Sequence, residues 1–508
     1  MNPVEHGEVF VLDDGGEVDM DFGHYERFLQ INCKSCQNLT MGKIFHEIRN
    51  RERRGDYLGK TVQFVPHVTD LIKEKFFALA EQERVDILLI EVGGTVGDIE
   101  NELYIQAVRE LKEDIGSENI VYVHLTYIPV PGGVNEQKTK PTQQSVKMLT
   151  ERGIQPDVII GRCEEKLDDK VKEKIARFCG VRKEAVISGE DVSNIYKIPI
   201  IFDQQGLSEI LHRKLQIYSP PDLREWKQLA DNLENLNDFN VVSERADNSI
   251  SNGLISNLPI NKTSKITVAI CGKYTDLEDS YASINEALMH CGAHCQAKIK
   301  IKFIEATEIE TGESSVEKVL KDVDAVVVPG GFGQRGIEGK IEVIRYCRVN
   351  NLPFLGICLG LQLAVIEYAR NVCGLKGANS SEIDQCTLYP VIDILPEQKA
   401  IEYKGGTMRL GAYKAILKEG SIVRKMYACE EVWERHRHRY EVNPDYHQIL
   451  TEKGLLICGF SPDGKLAEFI ELPGHKYFVA TQAHPELKSR LTRPAPLFRG
   501  LVRAALMK

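Results

Sequence analysis

Long aliphatic runs, separated by amphipathic stretches, recur through the first 218 residues of the chain. In Val85–Val92, Ile120–Leu125 and Val158–Gly161, apolar side chains occupy successive positions and not only alternate ones. Strands that are buried on both faces of a parallel sheet have this pattern, and the stretches between them have the amphipathic pattern of helices. We therefore predict a parallel α/β sheet in which these three runs are buried strands.

A break in this pattern divides the chain. Pro220-Pro221 ends the alternation, and residues 236–263 are rich in Asn, Ser and Asp, as solvated linkers are. A second α/β series begins with the apolar run Ile266–Tyr274, and no internal repeat relates the two series. The predicted domains are 1–218 and 266–508, joined by a linker over 219–265.

The composition of the 508-residue chain, with 43% hydrophobic and 27% charged residues, is that of a soluble enzyme with two or three domains. A net charge of −10 gives no reason to expect nucleic-acid binding. The sequence has no apolar run of membrane-spanning length and no sign of a signal peptide, so no membrane partner is expected. Thirteen cysteines without regular spacing predict a reducing, cytoplasmic location.

The most informative residue of the second half is Cys358, which lies in the hexapeptide Leu355–Gly360. An extended apolar approach precedes it, and Leu361–Ile366 has the composition of a helix. A cysteine between glycines on a sharp strand-to-helix turn has the geometry of a nucleophile elbow, in which the helix N-terminus stabilises a thiolate. An isolated cysteine is more often a small buried core residue, so the neighbouring motifs have to decide between the two.

Two further motifs favour the nucleophile. Ala325–Gly333 is an aliphatic run that ends in a glycine-rich turn, whose backbone N–H groups suit an oxyanion hole. Phe478–Glu486 is a strand that ends in His484, with the carboxylate of Glu486 two residues later. Cys358, His484 and Glu486 thus form a candidate triad of nucleophile, base and acidic orienting residue.

In this order the three motifs resemble the class I glutamine amidotransferases. Two more segments, Gly405–Gly411 and Glu434–Asn443, together with motifs of the first half, resemble the CTP synthase family. The resemblance implies an α/β fold with two doubly wound parallel-sheet domains. The first is a P-loop-NTPase-like synthetase (amidoligase) domain, and the second is a class I glutamine amidotransferase domain.

The resemblance also implies roles for residues around the candidate triad. His484 would activate Cys358, and the backbone N–H of Gly331 would help to hold the oxyanion. Glu382 would meet the ammonium group of the glutamine substrate. The residues implied in glutamine binding are Leu359, Gln362, Glu382 and Arg439.

Carboxylates of the first half are arranged for a metal ion. Asp21 follows an acidic turn, and Glu91 ends a predicted strand and precedes a glycine-rich loop. Carboxylates at the ends of parallel strands usually face a ligand cleft, and their hard oxygens suit Mg²⁺ bound to nucleotide phosphates. For Asp21 alone, an exposed acidic loop is the simpler alternative. By resemblance, Asp21 and Glu91 hold magnesium, and the pyrimidine nucleotide is contacted by Asp98, Ile99 and Glu100.

The segment that follows Glu136 is typical of a phosphate-binding loop. It places two lysines and two hydroxyl side chains ahead of a helix, where they can neutralise and hydrogen-bond a triphosphate. Without the family, an exposed basic turn is an equal alternative. By resemblance, UTP or the product CTP is bound by Lys138, Thr139, Lys140, Pro141, Thr142 and Gln143, with a further cation from Lys174.

The reaction that the resemblance implies has two halves. Ammonia released from L-glutamine displaces a phosphate that ATP has transferred to O4 of UTP, which gives CTP, and Mg²⁺ screens the phosphates. Members of the family are typically activated by GTP, inhibited by CTP and assembled as homotetramers. Arg335 and Gly336, just after the glycine-rich turn, match the family's activating lid.

One feature departs from the family pattern. CTP synthases begin with a strand and a glycine-rich loop that cradles the ATP phosphates, and no GxxxxGK[ST] motif occurs in this sequence. The N-terminal domain is therefore expected to lack its first strand and loop. Three explanations are open: Met1 is an internal methionine of a longer product, which we favour, or the missing piece is a separate chain, or the chain is a true truncation.

Three functions are open on the sequence alone. The first is the full amination of UTP to CTP. The second is glutamine hydrolysis without the ligase reaction, which fits an intact Cys358, His484 and Glu486 beside an absent phosphate loop. The third is a non-catalytic partner that joins full-length subunits or binds CTP as a sensor, against which the intact triad argues.

Overall fold

The computed structural model of the chain describes residues 7–133, 136–237, 264–273, 278–331, 333–394 and 408–507. Its internal contacts divide it into two compact units, one formed by Met1–Ser35 and Gln228–Lys508 and the other by Cys36–Lys227. The first 35 residues thus group with the second half of the chain. The predicted domain boundaries and linker stay predictions, and most of the linker lies outside the described residues.

The N-terminal part of the first unit is a short hairpin followed by a helix. Strands β1 (Phe10–Val11) and β2 (Glu17–Val18) pair antiparallel, and helix α1 spans Asp21–Leu29. The apolar side chains of β1 and β2 pack with Leu487 from the other end of the chain. Because this small core includes a distant residue, the segment folds against the second half and not by itself.

The second unit contains a parallel sheet of three strands in the order β3-β4-β5. Its core joins Ile159 and Val186 of the sheet to Val146 and Ile175 of two helices. The boundary between the two units falls inside a helix, α9 (Arg224–Asn237). In chain order, the elements before α9 are α2 (Met41–Arg54), α3 (Thr69–Glu83), α4 (Glu102–Ile115), β3 (Val123–Tyr127), α5 (Lys140–Glu151), β4 (Val158–Cys163), α6 (Asp169–Cys179), β5 (Val186–Glu190), α7 (Ile198–Gln204) and α8 (Leu207–Leu215).

The prediction of a buried strand over Val85–Val92 is wrong for this structure. None of its residues belongs to a strand, and Leu89 is 71% exposed. The run Ile120–Leu125 does contain the start of β3, but Val123 and Leu125 are exposed. A continuous apolar run is buried only where neighbouring strands cover it, and no described strand other than β4 pairs with β3.

The remaining elements of the first unit build one nine-stranded sheet, a small sheet of β10, β11 and β14, and the surrounding helices. In chain order they are β6 (Ser264–Gly272), α10 (Ala282–Cys295), β7 (Ala297–Glu305), α11 (Ala306–Glu310), α12 (Val316–Leu320), β8 (Ala325–Val328), α13 (Ile337–Val349), β9 (Phe354–Ile357), α14 (Leu359–Asn371), β10 (Asn379–Ser380), β11 (Pro390–Ile394), β12 (Arg409–Leu417), α15 (Ile422–Tyr427), β13 (Glu431–His438), β14 (Tyr440–Val442), α16 (His447–Glu452), β15 (Leu456–Phe460), β16 (Ala467–Glu471), β17 (Phe478–Thr481) and α17 (Pro496–Leu506).

The nine-stranded sheet is parallel at one end and antiparallel at the other. The order is β13-β12-β15-β16-β17-β9-β8-β6-β7, and the pairs from β17 to β7 are parallel. In register, Ile357 lies opposite Thr481 and Gly356 lies opposite Val328. The carboxyl ends of β8, β9 and β17 therefore meet at one edge, where ligands bind in open α/β sheets.

Hydrophobic cores on both faces of this sheet confirm the doubly wound arrangement. On one face, Ile341 and Ile344 of α13 pack with Leu363 of α14. On the other, Leu288 of α10 packs with Phe498 of α17 and its neighbours. No helix in the described part of the chain is both long and apolar enough to cross a membrane.

Candidate active site

The predicted sharp turn at Cys358 is confirmed. Cys358 joins β9 to α14 with φ 53° and ψ −102°, a backbone conformation that is strained for a residue with a side chain. Its N–H donates to the Thr481 carbonyl at 2.7 Å. A Cβ placed on Gly360 would lie 2.1 Å from the Val328 carbonyl oxygen, so only glycine allows the helix to start this close to β8. The turn is that of a nucleophile elbow.

His484 and Glu486 lie in contact just beyond the end of β17. His484 Nδ1 is 2.7 Å from Glu486 Oε1, and both side chains are largely withdrawn from solvent. Burial lowers the pKa of His484, but the negative charges of Glu486 and Cys358 outweigh this effect and raise the pKa to about 10. His484 Nε2 is buried and has no hydrogen-bond partner among the described residues. This nitrogen is therefore available to a thiol proton or a substrate.

The glycine-rich turn after β8 faces the nucleophile. A Cβ on Gly330 would lie 2.9 Å from His484 Cε1 and 3.5 Å from Cys358 Cβ. Gly331 lies beside Leu359, with 3.6 Å from its Cβ position to Leu359 Cδ2. The structure thus brings the predicted oxyanion residue next to the elbow. It also identifies Gly330, which sequence reasoning did not single out although the Gly-Gly pair was visible, as the residue that keeps Cys358 and His484 accessible to each other.

Gln482 is a second residue that sequence reasoning missed. Its side chain is fully buried, and its Nε2 donates to Cys358 Sγ at 3.7 Å. Gln362 Nε2 in turn donates to Gln482 Oε1 at 3.3 Å and to the Tyr440 carbonyl at 2.8 Å. Gln362, which the sequence predicts to bind glutamine, therefore holds Gln482 against the nucleophile in this structure. A glutamine two residues before a histidine carries no signal of its own that could have predicted this.

Glu382 and Arg439 both lie near Tyr440. Burial raises the pKa of the Tyr440 hydroxyl, the charge of Glu382 raises it further, and the charge of Arg439 lowers it. Burial raises the pKa of Glu382 itself, against a hydrogen bond from the backbone of Gly333 and the charge of Lys273. The two predicted substrate-binding charges thus lie close enough to one tyrosine to change its pKa in opposite directions.

The predicted lid residues are also anchored. Arg335 donates to the Lys273 carbonyl at 2.7 Å, and the Gly336 N–H donates to Glu310 at 2.9 Å.

The predicted phosphate-binding residues lie together in the second unit, at the start of α5. Lys140 is the first residue of the helix, and Pro141 occupies its first turn, where a missing N–H costs nothing. Thr139 and Thr142 are buried, and Gln143 Nε2 donates to the Thr139 hydroxyl at 3.0 Å. Lys138 pairs with Glu136, whose pKa is lowered first by Lys138 and further by the charge of Lys174. Both lysines thus lie close enough to Glu136 to lower its pKa.

The residues that are predicted to contact the pyrimidine nucleotide lie at exposed positions. Asp98 Oδ2 accepts from the Thr95 N–H at 2.9 Å, which closes the loop after Glu91, while Ile99 is 82% exposed and Glu100 is exposed.

The two predicted magnesium ligands do not share a compact unit. Asp21, at the start of α1, belongs to the first unit, and Glu91 belongs to the second. Within the described residues, no group of three or more His, Cys, Asp and Glu side chains is arranged to hold a metal ion. The predicted magnesium site stays a prediction.

Comparison with known proteins gives matches along nearly the whole chain. Residues 1–217 match the family described as CTP synthase N-terminus, and residues 276–504 match glutamine amidotransferase class-I. CTP synthase of Methanocaldococcus jannaschii is 51% identical over 100% of this chain and 89% of its own length. CTP synthase of Borreliella burgdorferi is 52% identical over 100% of this chain and 90% of its own. The chain belongs to the CTP synthase family.

A solved structure is similar to about half of the chain. The glutaminase domain of Trypanosoma brucei CTPS, solved with bound acivicin, is 36% identical and covers 48% of this chain and 94% of its own length, with a TM-score of 0.45. CTP synthases are glutamine-hydrolysing ligases of pyrimidine biosynthesis that use ATP, and the chain contains both the synthetase and the amidotransferase parts of the family.

A buried cluster of charges in the first unit lies close to His484. Arg409 donates to Glu441 at 2.8 Å and to Glu468 at 2.6 Å, and His436 Nδ1 is 3.0 Å from His438 Nε2. Burial and then the charge of Arg409 lower the pKa values of both histidines well below their usual range, so the pair is neutral. Burial, with the charge of Glu468, raises the pKa of Glu441 to about 8. One guanidinium thus faces two carboxyl groups, of which Glu441 retains a proton near neutral pH.

The raised pKa of Glu441 predicts that the free energy of unfolding depends on pH. Since the pKa of Glu441 is about 8 in the folded protein and near 4.5 when unfolded, the folded state binds more protons between these values and loses stability as the pH rises through this window. The loss is expected to be on the order of 1 kcal/mol per pH unit. Glu441→Gln cannot titrate, so its thermal midpoint, measured by calorimetry from about pH 5 to about pH 8, should fall less than that of the parent.

Glu431→Gln is the control, because Glu431 forms an exposed ion pair with Lys414 across the β12–β13 ladder. This variant should follow the parent profile. An equally steep decline for Glu441→Gln would show that Glu441 does not carry the proton.

Proposed function

We propose that this chain aminates UTP to CTP with ATP, using ammonia that it releases from glutamine at Cys358. The observation that carries the glutaminase half is the arrangement of the triad: a cysteine on a strained strand-to-helix turn, a histidine with a pKa near 10, and Glu486 bonded to the far side of its ring. A scaffold protein has no physical need for a strained cysteine that faces a buried histidine.

In the glutaminase half, His484 Nε2 takes the thiol proton of Cys358, and the sulfur attacks the side-chain carbonyl carbon of glutamine. The backbone N–H groups near Gly331 and Leu359 hold the oxygen that becomes negative. His484 returns the proton to the leaving nitrogen, which departs as ammonia, and water then hydrolyses the thioester to glutamate. Glu382 and Arg439 bind the charged ends of the substrate, while Gln362 acts through Gln482.

In the synthetase half, the loop from Lys138 to Gln143, together with Lys174, binds the triphosphate of UTP or CTP, and Asp98, Ile99 and Glu100 contact the pyrimidine nucleotide. Asp21 and Glu91 would hold Mg²⁺, since one or two carboxylates suffice where phosphate oxygens and water complete the coordination shell. When bound, the ion screens the charge of the phosphates. We further propose activation by GTP through the Arg335–Gly336 lid, feedback inhibition by CTP, a homotetramer and a cytoplasmic location.

The first test is CTP formation by the purified chain with UTP, ATP and Mg²⁺, supplied either with glutamine or with ammonium. Cys358→Ala should lower the glutamine-dependent rate by about 10³-fold or more and leave the ammonium-dependent rate unchanged, because only glutamine hydrolysis needs the thiol. Cys373→Ala, which removes a half-buried thiol elsewhere in the same unit, should match the parent.

Loss of both rates in Cys358→Ala would contradict the division into two half-reactions. Glutamine hydrolysis without CTP formation in the parent chain would favour a glutaminase only, and absence of both activities would favour a non-catalytic assembly partner.

A second substitution tests the metal role. Glu91→Ala should lower CTP formation from ammonium by about 100-fold or more and leave basal glutamine hydrolysis intact, because the ion is needed only for phosphoryl transfer. The rate is measured against Mg²⁺ concentration, with Glu113→Ala on α4 as a control for the loss of one carboxylate. A magnesium dependence identical to that of the parent would refute the role of Glu91.

A further inference from the structure

Residues 7–35, which we call the N-terminal segment, reach a buried ion cluster in the amidotransferase part of the first unit. Glu26 of α1 is fully buried and accepts from both terminal nitrogens of Arg435 at 2.9 Å. The same carboxylate accepts from Arg490 at 2.6 Å. Arg435 and Arg490 are themselves 0% and 1% exposed. One buried carboxylate thus binds two buried guanidinium groups at once.

Both arginines are hydrogen-bonded to the segment that carries His484 and Glu486. The carbonyl of Arg435, on β13, accepts from the His484 N–H at 2.7 Å. Arg490 follows the single helical turn that contains Glu486, and its guanidinium donates to the Leu487 carbonyl at 3.1 Å. Through these two arginines Glu26 fixes both the strand that receives the backbone of His484 and the end of the turn that carries Glu486.

Two further carboxylates of the N-terminal segment attach it to the same strands. Asp13 accepts from Arg435 Nε at 2.6 Å, and its carbonyl accepts from the Ala412 N–H of β12 at 2.8 Å. Glu17 accepts from Arg437 Nε at 2.8 Å, and the Arg437 carbonyl in turn lies 3.8 Å from Cys358 Sγ. The approach to β12 is close, because a Cβ on Gly411 would lie 2.7 Å from the Asp13 carbonyl oxygen.

A fourth carboxylate of the segment lies close to the triad. Glu8 is bonded to the N–H and hydroxyl of Ser283, at the start of α10. Its pKa is raised to about 7, mainly by burial and in part by the charge of Glu486. The N-terminal segment and the acidic member of the triad are therefore near enough to influence each other's charge.

We propose that the N-terminal segment positions the glutaminase machinery, with Glu26 as a positioning residue for His484. The inference rests on the proposed function of the triad and adds a part of the chain that belongs, by sequence, to the synthetase half. Loss of the Glu26 charge leaves two buried guanidinium groups with only the partly exposed Asp13 to balance them, which strongly disfavours their present positions. Since Arg435 carries the carbonyl that holds His484, a shift of β13 displaces the base from Cys358, and a displacement of this kind costs rate far more than binding.

The test compares Glu26→Gln with Glu367→Gln in the full chain. Glu367 is equally buried and forms a bidentate pair with Arg348, at 2.7 and 2.8 Å, but it contacts neither β13 nor the turn after His484. In Glu26→Gln, kcat for glutamine hydrolysis per titrated Cys358 should fall about tenfold with KM within about twofold of the parent. Glu367→Gln should keep the parent kcat, although both variants lose a buried charge.

A second readout does not depend on glutamine turnover. The rate at which iodoacetamide alkylates Cys358, followed by mass spectrometry of its peptide from about pH 6 to about pH 9, reports how well His484 supports the thiolate. This rate should fall several-fold in Glu26→Gln, with a profile shifted to higher pH, and be unchanged in Glu367→Gln. If the parent hydrolyses no glutamine, the proposed function fails and the alkylation profile still decides the present inference.

Parent-like kcat and alkylation in folded Glu26→Gln would overturn the proposal, as would an equal loss of both in Glu367→Gln. If Glu26→Gln does not fold, Asp13→Asn decides, because it removes one hydrogen-bonded charge from Arg435 at a partly exposed position. A smaller fall in kcat at constant KM supports positioning through Arg435, and an unchanged kcat overturns it.

Discussion

The close approach of three backbone segments at the carboxyl edge of the large sheet is the constraint on which the active site depends. Gly360 lies so near the Val328 carbonyl, and Gly356 so near the backbone of Gly360, that a methyl group at either position would overlap its neighbours. Because these glycines let α14 begin directly on β8 and β17, Cys358 is forced into its strained conformation. Cys358 is therefore presented to His484 by backbone packing and not by side-chain contacts.

Much of the amidotransferase part could be predicted from the sequence because its signals are local. Aliphatic runs that lead into glycine-containing turns identify β8 and β9, and the spacing of His484 and Glu486 permits the contact that the structure shows. The apolar run Val85–Val92 has a similar composition, yet it forms no strand. A strand is buried only where neighbouring strands and helices cover it, and the apolar run alone does not show whether they do.

Polar residues that act through distant partners could not be predicted. Gln482 and Glu26 belong to no motif that indicates their partners, and the arginines that Glu26 binds lie 409 and 464 positions further along the chain. Arg435 was visible only as part of a segment that resembles the family. Hydrophobic periodicity reports which face of an element is buried, but the pairing of buried charges depends on tertiary contacts that no local pattern encodes. The buried polar contacts around Cys358 and His484 were thus the part of the structure that the sequence predicted least.

The placement of β13 at the edge of the nine-stranded sheet has a consequence for how the molecule behaves in a crowded solution. An edge strand normally presents a row of carbonyl and N–H groups that another chain can extend into a continuous sheet. In β13 the alternate carbonyls of Trp433, Arg435 and Arg437 accept from Lys488, His484 and Cys358. Lys488, His484 and Cys358 thus occupy the hydrogen-bonding positions through which a second molecule would add a strand, so the contacts that place His484 and Cys358 also protect this edge from sheet extension.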